Sequence, residues 1–172
     1  NANKISLAAA VGVTIPGVSE TAYIQGNLER FFNPGNSTLD FPIGDGSNKF
    51  APVTIAVNNA QPGCAFTFST TPNDRNNVSG STLNGEKTVN RVWNARFAPL
   101  FSSYDITFNW LATDLDDPIN TGNFVVDQYS LDAASWLPTS IVSNRQQLSI
   151  TANGLTYFDG NMDFQVGEPG AT

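Results

Sequence analysis

Histidine is absent from this 172-residue chain, cysteine and methionine occur once each, and charged residues make up only 13%. The missing imidazole removes the Ser-His-Asp and Cys-His nucleophile arrangements together with the usual imidazole zinc sites. A single cysteine, Cys64, allows no internal disulfide and reads as a small buried hydrophobe rather than a reactive thiol. No run of 18 apolar residues occurs, which excludes a helical membrane span. Lys and Arg number 8 against 15 Asp and Glu, a formal net charge of −7. That balance speaks against a surface that tracks phosphates, and so against nucleic acid as a partner. The charged share is well below the roughly 25% of an average soluble protein. Asn, Ser, Thr and Gly take its place, and such a polar but weakly charged surface suits an exported, extracellular β protein.

What is present is alternation. Almost every apolar cluster repeats with a period of two, and none repeats at three and four over the dozen residues a helix needs. The spacing predicts about ten strands, at Ala22–Ile24, Leu28–Phe32, Lys49–Asn58, Cys64–Thr70, Thr88–Phe97, Ser103–Leu111, Asn123–Leu131, Gln147–Ala152 and Met162–Val166, after an N-terminal one. Between them lie Gly-, Pro- and Asn-rich turns such as Asn33-Pro34-Gly35-Asn36 and Gln61-Pro62-Gly63. Phe41–Ile55 reads as strand, acidic Gly-rich turn and strand. The expected fold is therefore an all-β antiparallel sandwich, immunoglobulin-like or jelly-roll-like, large enough to bury its own core. Residues 1–17 read as an N-terminal strand or connector, 18–167 as the sandwich and 168–172 as a C-terminal linker. Ile5–Val18 is the nearest approach to a targeting segment, but Val11, Val13 and Ile15 keep a period of two, which favours a terminal strand at a sheet edge.

The faces divide clearly in Tyr104, Ile106, Phe108 and Trp110, which share one side of their strand while Asp105, Thr107 and Asn109 share the other. One strand breaks the rule. Val89, Arg91, Trp93, Ala95 and Phe97 share a face, so Arg91 is either a structural arginine, stacked on a ring and paired with a carboxylate or carbonyls, or is turned outward by a bulge. The polar stretch Asn73–Gly85 is expected to be a mobile connection or the cover of a sheet edge.

Several of these pieces, in order, carry a resemblance: Tyr23-Ile24-Gln25-Gly26-Asn27-Leu28-Glu29-Arg30, Phe41-Pro42-Ile43-Gly44, Phe50-Ala51-Pro52-Val53, Val89-Asn90-Arg91-Val92-Trp93, Tyr129 with Trp136, and Thr156-Tyr157-Phe158 with Phe164-Gln165-Val166-Gly167. Together they resemble a β-sandwich repeat of Bacteroidota surface and secreted proteins, many exported by the type IX system. The resemblance implies a module for display, spacing or adhesion in an extracellular protein, with no catalytic apparatus. The end of the chain, Val166–Thr172, does not resemble the sorting domain of type IX cargo, which implies an excised repeat or a subunit exported by another signal.

Candidate chemistry is sparse. Asp114, Asp116 and Asp117 form either a solvated acidic loop or an oxygen-only calcium site, without the Gly and distal Glu of an EF-hand. With Asp105 or Asp127 they could also imitate a glycosidase carboxylate pair. No other cofactor is implied. Trp93 and Trp110 belong to the core side of their strands, whereas Trp136 follows Ala134-Ser135 and could stack on a sugar or close the core. Three functions follow: a structural and adhesive module joined to neighbouring copies or adjacent modules through Val11, Val13 and Ile15; a carbohydrate-binding module contacting surface glycans through Trp136; and a carboxylate glycosidase.

Overall fold

A computed structural model describes residues 4–7, 14–46, 49–98, 100–137, 142–156 and 160–170. Sixteen strands occur among them: β1 (Lys4–Leu7), β2 (Ile24–Gln25), β3 (Asn27–Phe31), β4 (Gly35–Phe41), β5 (Ile43–Asp45), β6 (Lys49–Phe50), β7 (Val53–Ala60), β8 (Ala65–Pro72), β9 (Leu83–Thr88), β10 (Arg91–Phe97), β11 (Ser103–Asn109), β12 (Val125–Ser130), β13 (Ser135–Trp136), β14 (Val142–Arg145), β15 (Ser149–Leu155) and β16 (Asn161–Pro169). An eight-stranded sheet runs β1-β3-β8-β10-β16-β12-β13, with β9 also on β16. A five-stranded sheet runs β14-β15-β11-β7-β4, and β2, β5 and β6 make a small third sheet. Pairing is antiparallel except for β1 on β3 and β2 on β5.

The all-β sandwich follows from the alternation. Tyr104, Ile106 and Phe108 of β11 and Val53, Ile55 and Val57 of β7 face Phe66 and Phe68 of β8, Trp93 of β10 and Phe164 of β16 in one buried cluster. Aromatic rings fill it: Trp93 packs on Phe108 at 4.9 Å and Phe108 on Phe164 at 5.2 Å. Trp93 Nε1 donates to Ala51 O, so its one polar atom is matched. Cys64 is buried there, and desolvation pushes its thiol up to about 11, a small hydrophobe in practice.

Three expectations need correction. β4, β9, β13 and β14 had no strand assigned to them, and Gly44-Asp45 of β5 read as turn, because short or polar sequences hide the alternation; β4 alternates half-buried and exposed positions at a sheet margin. Asn73–Gly85 is neither a simple loop nor an edge cover: it contains the start of β9 and lies over the outer face of the eight-stranded sheet. β16 runs through Pro169, so Glu168 and Pro169 belong to the closing strand rather than a linker.

Candidate functional site

The most concentrated chemistry lies where β9 passes into β10. Both pair along the same margin of β16, but the chain kinks between them, with Arg91 N–H donating to Val89 O. The stretch Asp114–Asp116 docks on this kink: Asn90 N donates to Asp114 O, Val89 bridges Leu115, and Asp116 N donates to Thr88 O. Of the two readings of Arg91, the structural arginine paired with carboxylates holds and the outward-turned one does not: the chain kinks beside it, yet the side chain turns inward and is 0% exposed.

Its guanidinium spends its donors on fixed acceptors. Nη1 reaches Asp45 Oδ2 at 3.0 Å and Thr70 Oγ1 at 3.2 Å, while Nε and Nη2 fork onto the Asp114 carboxylate at 3.4 and 3.2 Å. Lys49 Nζ lies 3.1 Å from Asp114 Oδ1, so two cations face two carboxylates and the buried charges balance. Asp45 comes from the stretch that the sequence marks as an acidic Gly-rich turn. It is buried because Gly44 lets the hairpin close: a Cβ there would run into the Tyr23 ring and the Lys49 carbonyl.

A second polar cluster covers the outer face of the eight-stranded sheet. Asp163 accepts from Arg75 and from Asn94 Nδ2, Gln165 Oε1 accepts from Arg75 N, and Asp127 accepts from Thr82 N and Oγ1. Arg75 also stands over the Tyr129 ring at 3.7 Å, and Trp136 meets that ring edge-on at 5.3 Å. Trp136 Nε1 donates to Asn77 O at 2.9 Å. The ring read as a sugar platform or a lid over the core is thus a clasp on residues 73–82. Asp74 Oδ1 accepts from Thr88 Oγ1 and Gln165 Nε2, and burial, with Asp116 nearby, raises its carboxyl above the usual range.

The acidic triplet is divided. Asp114 faces Arg91 and Lys49, Asp116 accepts from Thr88 N and Asn90 Nδ2, and Asp117 is exposed. No group of three His, Cys, Asp or Glu that could hold a metal occurs among the described residues, and Asp114, Asp116 and Asp117, read as a solvated loop or a calcium site, do not converge. Asp105 and Asp127 are elsewhere, accepting from Gly154 N and from Thr82 on the outer faces of different sheets. Of the three assembly residues, Val11 and Val13 lie outside the described residues. Ile15 is in no strand; it packs against the core margin, and the terminal strand is β1, upstream of it.

One groove, about 670 Å³, runs between residues 14–20 and β4. Ile15, Val18 and Glu20 line it together with Ser37–Asp40 and Trp110. Trp110 is 3% exposed, and its indole N–H meets no acceptor among the described residues. Sequence reasoning missed this feature because β4 was not recognised as an edge. No protein-family model, no curated protein and no solved structure matches the chain.

Proposed function

We propose that the chain is a non-catalytic structural and adhesive module of an extracellular surface protein or fibre, joined to neighbouring copies or adjacent modules through its N-terminal segment. The observation that carries this reading is β1. It is a four-residue strand laid parallel on the margin of β3, with Lys4, Ile5 and Ser6 exposed and Ile5 48% accessible. Short parallel pairing is the weaker kind of ladder, and a peripheral terminal strand is the element a sandwich can exchange most cheaply. Asp45, Asp114, Asp116 and Asp127 are bound to cations and N–H groups of the framework. Trp136 is committed to its clasp, which favours linking over carbohydrate binding.

The test is sedimentation velocity with electron microscopy across a concentration series. The full chain is expected to form head-to-tail oligomers. Deletion of residues 1–17 abolishes them while the far-ultraviolet strand spectrum and a cooperative melt persist. Unchanged assembly after the deletion overturns the reading.

A further inference from the structure

Resting on that linking role, we propose that the edge of β4, which pairs with no further strand among the described residues, is, with the groove beside it, the acceptor for β1 of a second copy of this chain. Main-chain direction is the first argument. Asn109 N donates to Pro52 O and Ser102 N to Asn58 O, so the even-numbered residues of β7 turn their peptide groups toward β11. The odd-numbered ones, Val53, Ile55 and Val57, then serve β4, where their partners in register are Phe41, Leu39 and Ser37. That leaves the N–H and C=O of Thr38 and Asp40 pointing away from the sheet. Arg30 confirms the direction from the other side, donating from Nη1 to Asp40 O at 2.6 Å. Thr38 N, Thr38 O and Asp40 N have no partner among the described residues.

Unpaired peptide groups on an edge strand select an extended polypeptide. The side chains around them select its character. An added strand continues the two faces of β4, setting alternate residues beside Leu39 on one face and beside Thr38 and Asp40 on the other. Lys4-Ile5-Ser6-Leu7 alternates to match: Ile5 and Leu7 suit the apolar lining of Ile15, Val18 and Phe31, while Lys4 suits the carboxylates of Glu20 and Asp40. The Trp110 ring lines the same groove and adds to its apolar character.

The decisive variant is Thr38→Pro in the full chain. The Thr38 N–H points outward, so proline removes no bond to β7 and is tolerated at such a position, yet it blocks strand addition. Thr38→Val keeps the N–H and is the control. Sedimentation velocity is expected to show Thr38→Pro monomeric with a cooperative melt, and Thr38→Val assembling like the parent. If Thr38→Pro does not fold, Glu20→Lys replaces it: assembly weakens by about tenfold and Lys4→Glu in the same chain restores it, as expected for a charge pair across an interface. Assembly lost on deletion of residues 1–17 but unchanged in Thr38→Pro or Glu20→Lys overturns the acceptor and leaves the linking role standing. Assembly unchanged in all three, or a parent chain monomeric at every concentration, overturns both.

Discussion

Arg91 and Arg75 press on opposite faces of the same eight-stranded sheet, and each is paired with carboxylates. Arg91 lies between the two main layers, without solvent, and ties together three segments distant in sequence: the β5 hairpin, the start of β10 and the Asp114 turn. Arg75 comes from the covering segment, stays partly exposed, and divides its charge between Asp163 and the face of Tyr129. The same side chain therefore does different work by depth. Inside, removal strands buried charge; outside, removal frees a strap while the sheet beneath it persists.

The sharpest break of that comparison is Arg91→Ala. It removes the guanidinium that joins Asp45 to Asp114, and losing one side of a buried ion network costs about 3–5 kcal/mol. At roughly 2–4 °C per kcal/mol for a chain of this size, Tm should fall by about 10 °C, visible by calorimetry. Arg91→Lys keeps the charge but cannot fork onto Asp114 while reaching Asp45, so an intermediate loss is expected. Equal melting of Arg91→Ala and the parent would remove the cluster from the account of stability.

Arg75→Ala is expected to act locally. The lost ion pair and ring contact amount to about 1 kcal/mol, so the global melt moves by only a few degrees. Hydrogen exchange should quicken at Arg75 and Thr82, whose amides are bonded to Gln165 and Asp127, while amides of β10 and β16 keep their protection. A loss as large as that of Arg91→Ala would mean that the covering segment is part of the core.

How much of this the sequence revealed depends on the range of the interactions. Period-two alternation in β11 and β10 placed Trp93, Trp110 and Phe108 inside, and an arginine on that apolar face announced a buried pair. Its partners were not legible. Asp45 looked like a turn residue, because its burial depends on a hairpin closing over Gly44 and meeting Arg91 46 positions away. Asp114 and Asp116 looked like one acidic loop, because only the docked chain shows that Asp114 ends a 3-10 turn facing Arg91 while Asp116, beyond the bridge at Leu115, meets Thr88 and Asn90. Trp136 stayed undecided between a sugar platform and a lid over the core, because its acceptor, Asn77 O, sits 59 residues earlier. β4 stayed hidden because an edge strand need bury only half of its residues.

The smallest expected effect concerns proton linkage on this sheet, where two carboxyls have opposite signs. Glu29 is held below its usual range by hydrogen bonds from Lys4 and Ser6, so its contribution is present above the unfolded pKa and is lost as pH falls through the folded one. The same protonation loosens β1, which Lys4 and Ser6 tie to β3 through Glu29. Asp74 runs the other way. Burial raises it despite the bonds from Thr88 and Gln165, so the folded chain holds this proton more readily than the unfolded chain. Stability from Asp74 therefore declines as pH rises from the unfolded value near 4 (about 3.9 for an aspartyl group) through the raised folded one, and is level above it. Asp74→Asn removes the titration and keeps an amide oxygen to accept from Thr88 Oγ1 and Gln165 Nε2. Thermal melts between about pH 3 and 8 should show the variant gaining on the parent as pH rises, with a difference of about 1 kcal/mol or less at neutrality. A variant that loses ground with rising pH would show that the Asp74 charge itself holds the strap, and would place Asp74 beside Arg91 rather than Arg75.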